Sequence, residues 1–274
     1  MNQALDLGYT RIAGKFWGVE SGEPTIALHG YLDNANSFDM LAPALQGVRI
    51  FAMDFAGHGW SAHRREGETY SGLNDIRDVL AVADFLGWQS FNLIGHSMGA
   101  EIGSQLAGMF PERVNKLICI DGYCGTNSSE EVLGHLQSGI AASFKTHATL
   151  KVFPTLEAMT ARLCEATGQN RDSAECLIRR GHQVVDGGYT WITDPKIKGS
   201  GPLELSAGQL EQLLDNTTAE TLFIVADMEN QWLKRSIDVI GSKARVGLQL
   251  INLPGHHHLH MQEQSGEVAE LINN

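Results

Sequence analysis

Basic residues are scarce in this chain: 20 Lys and Arg stand against 32 Asp and Glu, a formal net charge of −12 over 274 residues. A surface of that sign repels phosphate backbones and anionic headgroups, so neither nucleic acid nor a membrane is an expected partner. Arg64-Arg65 and Arg179-Arg180 are only pairs and make no basic patch. Cysteine is also rare. Cys119, Cys124, Cys164 and Cys176 show no Cys-x-x-Cys spacing and are too few to staple a chain of this length. Reduced thiols, a cytoplasmic location and no catalytic cysteine are the expectation. No apolar run approaches the roughly 18 residues of a membrane helix. Residues 1–14 lack the apolar core that follows the basic start of a signal peptide. Internal repeats and low-complexity segments are absent.

What is present is an ordinary globular composition, 43% hydrophobic and 19% charged, enough to bury a core. An edge strand is expected over Tyr9–Trp17, then an apolar strand Thr25–Leu28 closed by His29-Gly30. Phe38, Leu41 and Leu45 share one helical face, limited by Pro43 and Gly47. Val48–Met53 reads as a buried strand ending at Asp54, and Ser71–Leu86 as a helix with Leu73, Ile76, Leu80 and Ala83 spaced by threes and fours and Gly87 as its stop. Phe91–Ile94 is the next strand, a helix runs on to Pro111, and Val114–Ile120 is a strand closed by Asp121. Strands alternating with helices imply a mostly parallel α/β sheet covered on both faces, with reactive groups at the carboxyl ends of its strands. His29, Asp54, Ser97 and Asp121 all fall at such ends.

The alternation lapses between residues 123 and 203. Helices are expected near 129–147, 155–167 and 173–181, followed by a Gly- and Pro-rich loop over 187–202. This segment is expected to be a helical lid inserted into a core made of residues 1–122 and 204–274. The core resumes with a helix near 207–214, the strand Thr221–Val225, a helix near 231–240, the strand Leu248–Leu253 and a last helix from Glu267.

At Gly95-His96-Ser97-Met98-Gly99 a strand runs into a helix through Gly-x-Ser-x-Gly, a pattern that raises a serine hydroxyl above the sheet edge. Serine is a weak nucleophile at neutral pH and needs an imidazole held by a carboxylate. The late loop Pro254-Gly255-His256-His257-His258-Leu259-His260 offers the imidazole. Its four histidines also suit a metal, but no second ligand cluster of recognisable spacing accompanies them, and no metal or organic cofactor is expected.

With Leu28-His29-Gly30-Tyr31-Leu32-Asp33-Asn34-Ala35, Asp54-Phe55-Ala56-Gly57-His58-Gly59-Trp60-Ser61 and the serine motif in order, the chain resembles the α/β-hydrolases. It is closest to their serine hydrolase-like members, and the likeness extends over residues 24–122 and 205–272. The resemblance implies the α/β-hydrolase fold with Ser97 as nucleophile and the backbone N–H groups of Tyr31 and Met98 as oxyanion hole. The family's closing pattern, a histidine three positions before His-Met, selects His257 over His256 and His258 as the base. Asp54, His58 and Ser61 are implied as loop-shaping residues, and His29 as a structural hydrogen-bonder. Two strand ends compete to supply the acid. Asp121 is preferred, while Glu229 stands in the other slot without the usual glycine and aspartate around it, and Asp227 is a third choice.

The expected activity is hydrolysis of a carboxylic ester, or a related acyl bond, of a small and apolar substrate through an acyl-enzyme. The same fold and site also serve carbon–carbon hydrolases, thioesterases, haloperoxidase-like enzymes and cofactor-free dioxygenases, and a non-enzymatic small-ligand receptor is a further alternative. A haloalkane dehalogenase is disfavoured because position 97 is Ser rather than Asp. Phe144, Phe153, Met159 and Trp191 either line an apolar pocket or form the lid's own core. Oligomeric state is not legible.

Overall fold

The computed structural model describes residues 1–123, 151–197, 205–227 and 247–274, with residues 133, 134, 137, 140, 141, 233, 237 and 238 between them. Its centre is an eight-stranded sheet of β1 (Asn2–Asp6), β2 (Arg11–Gly18), β3 (Glu23–Leu28), β4 (Val48–Met53), β5 (Phe91–His96), β6 (Val114–Ile120), β9 (Glu220–Val225) and β10 (Leu248–Asn252). The spatial order is β1-β2-β4-β3-β5-β6-β9-β10. Within this sheet only the β1–β2 and β2–β4 pairings are antiparallel, so β3, β4, β5, β6, β9 and β10 point their carboxyl ends the same way.

The two faces follow from the period of two along each strand. Ile26, Leu28, Phe51, Met53, Leu93, Leu117, Cys119 and Phe223 face one side. Their neighbours Ala27, Ile50, Ala52, Ile94, Ile118, Ile120 and Ile224 face the other. The first side is covered by α1 (Gly72–Phe85), α2 (Met98–Met109) and α5 (Ala207–Asn216) through Ile76, Val79, Val82, Ile102, Leu106, Leu210 and Leu214. The second is covered by α6 (Ser265–Asn273) and by two short 3-10 turns, Ala35–Phe38 and Ala42–Ala44.

Three local expectations are revised. The edge carries an additional strand, β1, which buries only Leu5 and so shows almost no alternation to read. Phe38, Leu41 and Leu45 are buried as expected, but Pro43 lacks the N–H a continuous helix needs, and the segment breaks into two turns. In α1 the buried stripe is Ile76, Val79, Val82 and Ala83, while Leu73 in the first turn is exposed. Gly87 ends that helix at φ +74°.

Beyond β6 the described residues include α3 (Leu156–Thr167), α4 (Arg171–Gly181) and a hairpin of β7 (His182–Val185) and β8 (Gly188–Trp191), all outside the main sheet. Strand β8 lies where a loop was expected; the positive-φ pair Gly187-Gly188 turns the chain back on itself. Phe153, Met159 and Ile178 form a small separate core with Trp191 packed against it. Met159, Phe153 and Trp191 are therefore this segment's own core residues. Phe144, Glu229 and most of the helices expected near 129–147 and 231–240 lie outside the described residues. Among the described residues, no helix is long and apolar enough to cross a membrane.

Candidate active site

Ser97 joins β5 to α2 at φ +51° and ψ −120°, a conformation L residues avoid. Two glycines permit it. A Cβ at Gly99 would stand 2.1 Å from the Leu28 carbonyl oxygen, and one at Gly95 would stand 2.5 Å from Ala100. The turn is thereby pressed against the end of β3, with Ser97 as N-cap residue and Met98 as the first residue of α2.

Asp121 follows β6, the neighbour of β5. Its backbone is also held at positive φ, +42°, and its N–H donates to the Ile224 carbonyl at 2.7 Å. Next to it, a Cβ on Gly122 would fall 2.6 Å from Ser97 Cα, so only glycine lets this strand end lie against the serine turn. The Asp121 carboxylate is spread over two donors: Oδ1 accepts from Ala226 N–H at 2.8 Å, and Oδ2 accepts from His257 Nδ1–H at 2.5 Å. The carboxylate is buried, while the His257 ring is 38% exposed. Asp227 is exposed, on the far side of Ala226 in sequence.

The three adjacent histidines have separate partners. His256 donates from Nε2 to the Thr167 carbonyl at 3.1 Å and accepts at Nδ1 from His258 N–H and Gln262. His258 is buried; its Nε2 lies 3.7 Å from Asp33 Oδ2. His257 alone of the three reaches Asp121. Its carbonyl accepts from His96 Nε2–H at 3.0 Å, which ties the loop to the residue preceding Ser97.

Behind this loop lies a buried polar cluster of Asp33, His96, His258 and His260. Burial, reinforced by the neighbouring imidazoles, holds His96 well below the ordinary histidine range, His258 at about 2 and His260 at about 3. Burial likewise pushes the Asp33 carboxyl up to about 7, against the pull of His257.

Tyr31 sits just past β3, on a loop whose Gly30 has no room for a side chain against the His96 ring. His29 donates from Nδ1 to the Gly30 carbonyl at 2.7 Å and accepts at Nε2 from Phe55 N–H at 3.0 Å, which joins the ends of β3 and β4. Desolvation holds it neutral. Asp54 accepts from the N–H groups of Ala35 and Trp60, and Ser61 bridges the Asp54 carbonyl and Ala13 N–H. His58 is buried and lowered to about 4 by desolvation.

Arg180, read in the sequence as half of an unremarkable basic pair, is 1% exposed. From α4 its Nε donates to both Asp54 oxygens, at 2.9 and 2.8 Å, and its guanidinium lies 4.2 Å from the Trp60 ring centroid. Asn34 and Asn36 donate to the Leu177 and Cys176 carbonyls, and Ser173 donates to the Met261 carbonyl. Segment 151–197 is thus fastened to the loops after β3, β4 and β10. The available signal was spacing: Arg180 stands three residues after Leu177, at the edge of the buried Ala174, Leu177 and Ile178 stripe.

Comparison with known proteins gives the family. The family model described as alpha/beta hydrolase fold matches residues 24–167. The chain is similar to the Serine hydrolase-like protein of Mus musculus, 31% identical over 94% of this chain and 90% of that one. It is also similar to Serine hydrolase-like protein 2 of Homo sapiens, 30% identical over 98% and 91%. Among solved structures, a hypothetical protein of Pseudomonas aeruginosa PAO1 superimposes with a TM-score of 0.88 at 36% identity, over 99% of this chain and 96% of that one. With the sheet order and the strained serine turn, these likenesses establish that the chain belongs to the α/β-hydrolase superfamily, among the serine hydrolase-like proteins.

Proposed function

We propose that this hydrolase cleaves a carboxylic ester, or a closely related acyl bond, of a small apolar molecule with Ser97, His257 and Asp121 as its catalytic groups. The observation that carries the reading is the 2.5 Å contact between His257 Nδ1 and Asp121 Oδ2, beside the strained turn that holds Ser97. With Nδ1–H given to the carboxylate, neutral His257 keeps its lone pair on Nε2, the form a general base needs. Ser97 Oγ attacks the acyl carbon as its proton passes to His257 Nε2. The carbonyl π pair moves onto oxygen, where Tyr31 N–H and Met98 N–H receive the charge. Collapse expels the alcohol, which takes the proton from His257. Water then attacks the Ser97 ester by the same route and releases the carboxylic acid. Asp121 keeps its hydrogen bond from His257 Nδ1–H and stabilises the imidazolium in both halves.

Segment 123–203 is the proposed lid, since its described part is bonded to the loops that carry Tyr31 and His257. Tyr31 and Leu32, each 41% exposed on the loop packed on His96, offer apolar surface for the acyl or alcohol group. The scarcity of cysteine, four in 274 residues without Cys-x-x-Cys spacing, supports the proposed cytoplasmic location. An acyl-chain-length series of p-nitrophenyl esters, with Ser97→Ala as blank, tests the reading. Turnover with a clear optimum in chain length, abolished in Ser97→Ala, is expected. Turnover that survives Ser97→Ala contradicts it.

A further inference from the structure

We propose that Asp33, His96 and His258 form a binding site for one divalent transition metal of the zinc class, buried between the serine turn and the base loop. Asp33 Oδ2 lies 3.7 Å from His96 Nδ1 and 3.7 Å from His258 Nε2. The three donor atoms all fall within 4.8 Å of one another, and all three residues are buried. A four-coordinate zinc with bonds near 2.0–2.1 Å keeps its ligand atoms roughly 3.4 Å apart, so small side-chain rotations bring the donors into range. They are too far apart to hydrogen-bond to each other, and among the described residues Asp33 Oδ2 and His96 Nδ1 have no hydrogen-bond partner. Buried polar atoms left without partners are unfavourable, and a cation engages all three groups at once.

Two further features fit a ligand set. His96 Nε2–H is committed to the His257 carbonyl, which leaves the Nδ1 lone pair directed at Asp33, the outer hydrogen bond a metal-bound imidazole ordinarily makes. Gly30 keeps the approach open, because a Cβ there would stand 2.8 Å from His96 Nδ1 and 3.1 Å from Asp33 Oδ2. Two imidazoles and one carboxylate select zinc, cobalt or nickel over magnesium or calcium, which demand oxygen. The ion ties the residue before Ser97 to the residue after His257, and it braces two loops that no strand pairing joins. This inference does not depend on Ser97 being a nucleophile.

The test is titration of the EDTA-treated full-length chain with Zn²⁺ by calorimetry and with Co²⁺ by visible absorption. The expected result is one equivalent bound, four-coordinate Co²⁺ bands, and a thermal midpoint that rises with metal concentration. Asp33→Asn and His258→Gln should each weaken binding by about tenfold or more, whereas His256→Gln, whose ring is bonded to Thr167, should not. Circular dichroism identifies any variant that fails to fold. If Asp33→Asn does so, His258→Gln carries the comparison, backed by Gly30→Ala, which narrows the site without removing a donor. Absence of binding at millimolar metal overturns the proposal. So does binding that is unchanged in His258→Gln, which would mark an adventitious ion on surface histidines only.

Discussion

A carboxylate that shares one oxygen with a backbone N–H and the other with an imidazole has its orientation fixed from both sides, as Asp121 has between Ala226 and His257. Asn at 121 can keep the first bond, but its amide nitrogen presents a donor where His257 needs an acceptor. Asp121→Asn is therefore expected to lower kcat on a p-nitrophenyl ester by about three to four orders of magnitude with KM little changed. Glu229→Gln is expected to stay near the parent rate, and steady-state kinetics on the pair decides between the two acids. Position along the chain pointed to Ser97 and to Asp121, because each closes a strand. Choosing among His256, His257 and His258 depended on family register, since adjacent identical side chains carry no local signal. Their distinct roles arise from Thr167, Asp121 and Asp33, residues far away in sequence. Asp33 was illegible for the same reason: it is one acid on a loop until β5 and the last loop close around it.

Between elements, the joint that bears on the site is the contact of α2 with the end of β3. Gly99 lies where any side chain would strike the Leu28 carbonyl, so the serine turn and the Tyr31 loop are held in one fixed relation. Gly99→Ala should cost at least about 3 kcal/mol in urea unfolding and reduce ester turnover further than stability alone requires. The joint between α4 and the core is ionic. Arg180→Ala leaves the buried Asp54 carboxylate with two backbone donors and no counter-charge, which should cost about 3–5 kcal/mol, whereas Arg179→Ala on the exposed face should be nearly silent in the same melts. The parallel core was readable because buried strands and amphipathic helices each repeat with their own period. Segment 151–197 was half readable. Helices α3 and α4 lie close to the expected 155–167 and 173–181, with α4 starting two residues earlier, but the hairpin depends on Gly187-Gly188 and on Phe153 pairing with Tyr189 across the chain.

Taken whole, the molecule buries titratable groups of two kinds with opposite consequences for acid stability. His29, His58, His96, His258 and His260 are all held below the ordinary histidine range, so between about pH 6.5 and pH 4 the unfolded chain binds protons that the folded chain refuses. Asp33 and Asp75, each raised to about 7, and Asp54, also raised, act in the reverse sense, because the folded chain holds their protons where the unfolded chain releases them. The histidines outnumber them, so the net sign is loss of stability as pH falls. In EDTA the free energy of unfolding should fall by on the order of 1–3 kcal/mol per pH unit from pH 6 to pH 4.5. Urea melts across that range should show the midpoint moving to lower denaturant; a constant or rising midpoint would mean that these imidazoles are charged in the fold. The proposed chemistry centres on the Ser97 hydroxyl on its strained turn, and the most direct test addresses that atom. Folded protein should be treated with a fluorophosphonate, and the adduct located by peptide mass spectrometry. One adduct on Ser97, formed at least about a hundredfold more slowly in His257→Gln, is the predicted result. A folded protein that leaves Ser97 unmodified, or that labels equally fast without His257, would contradict the account.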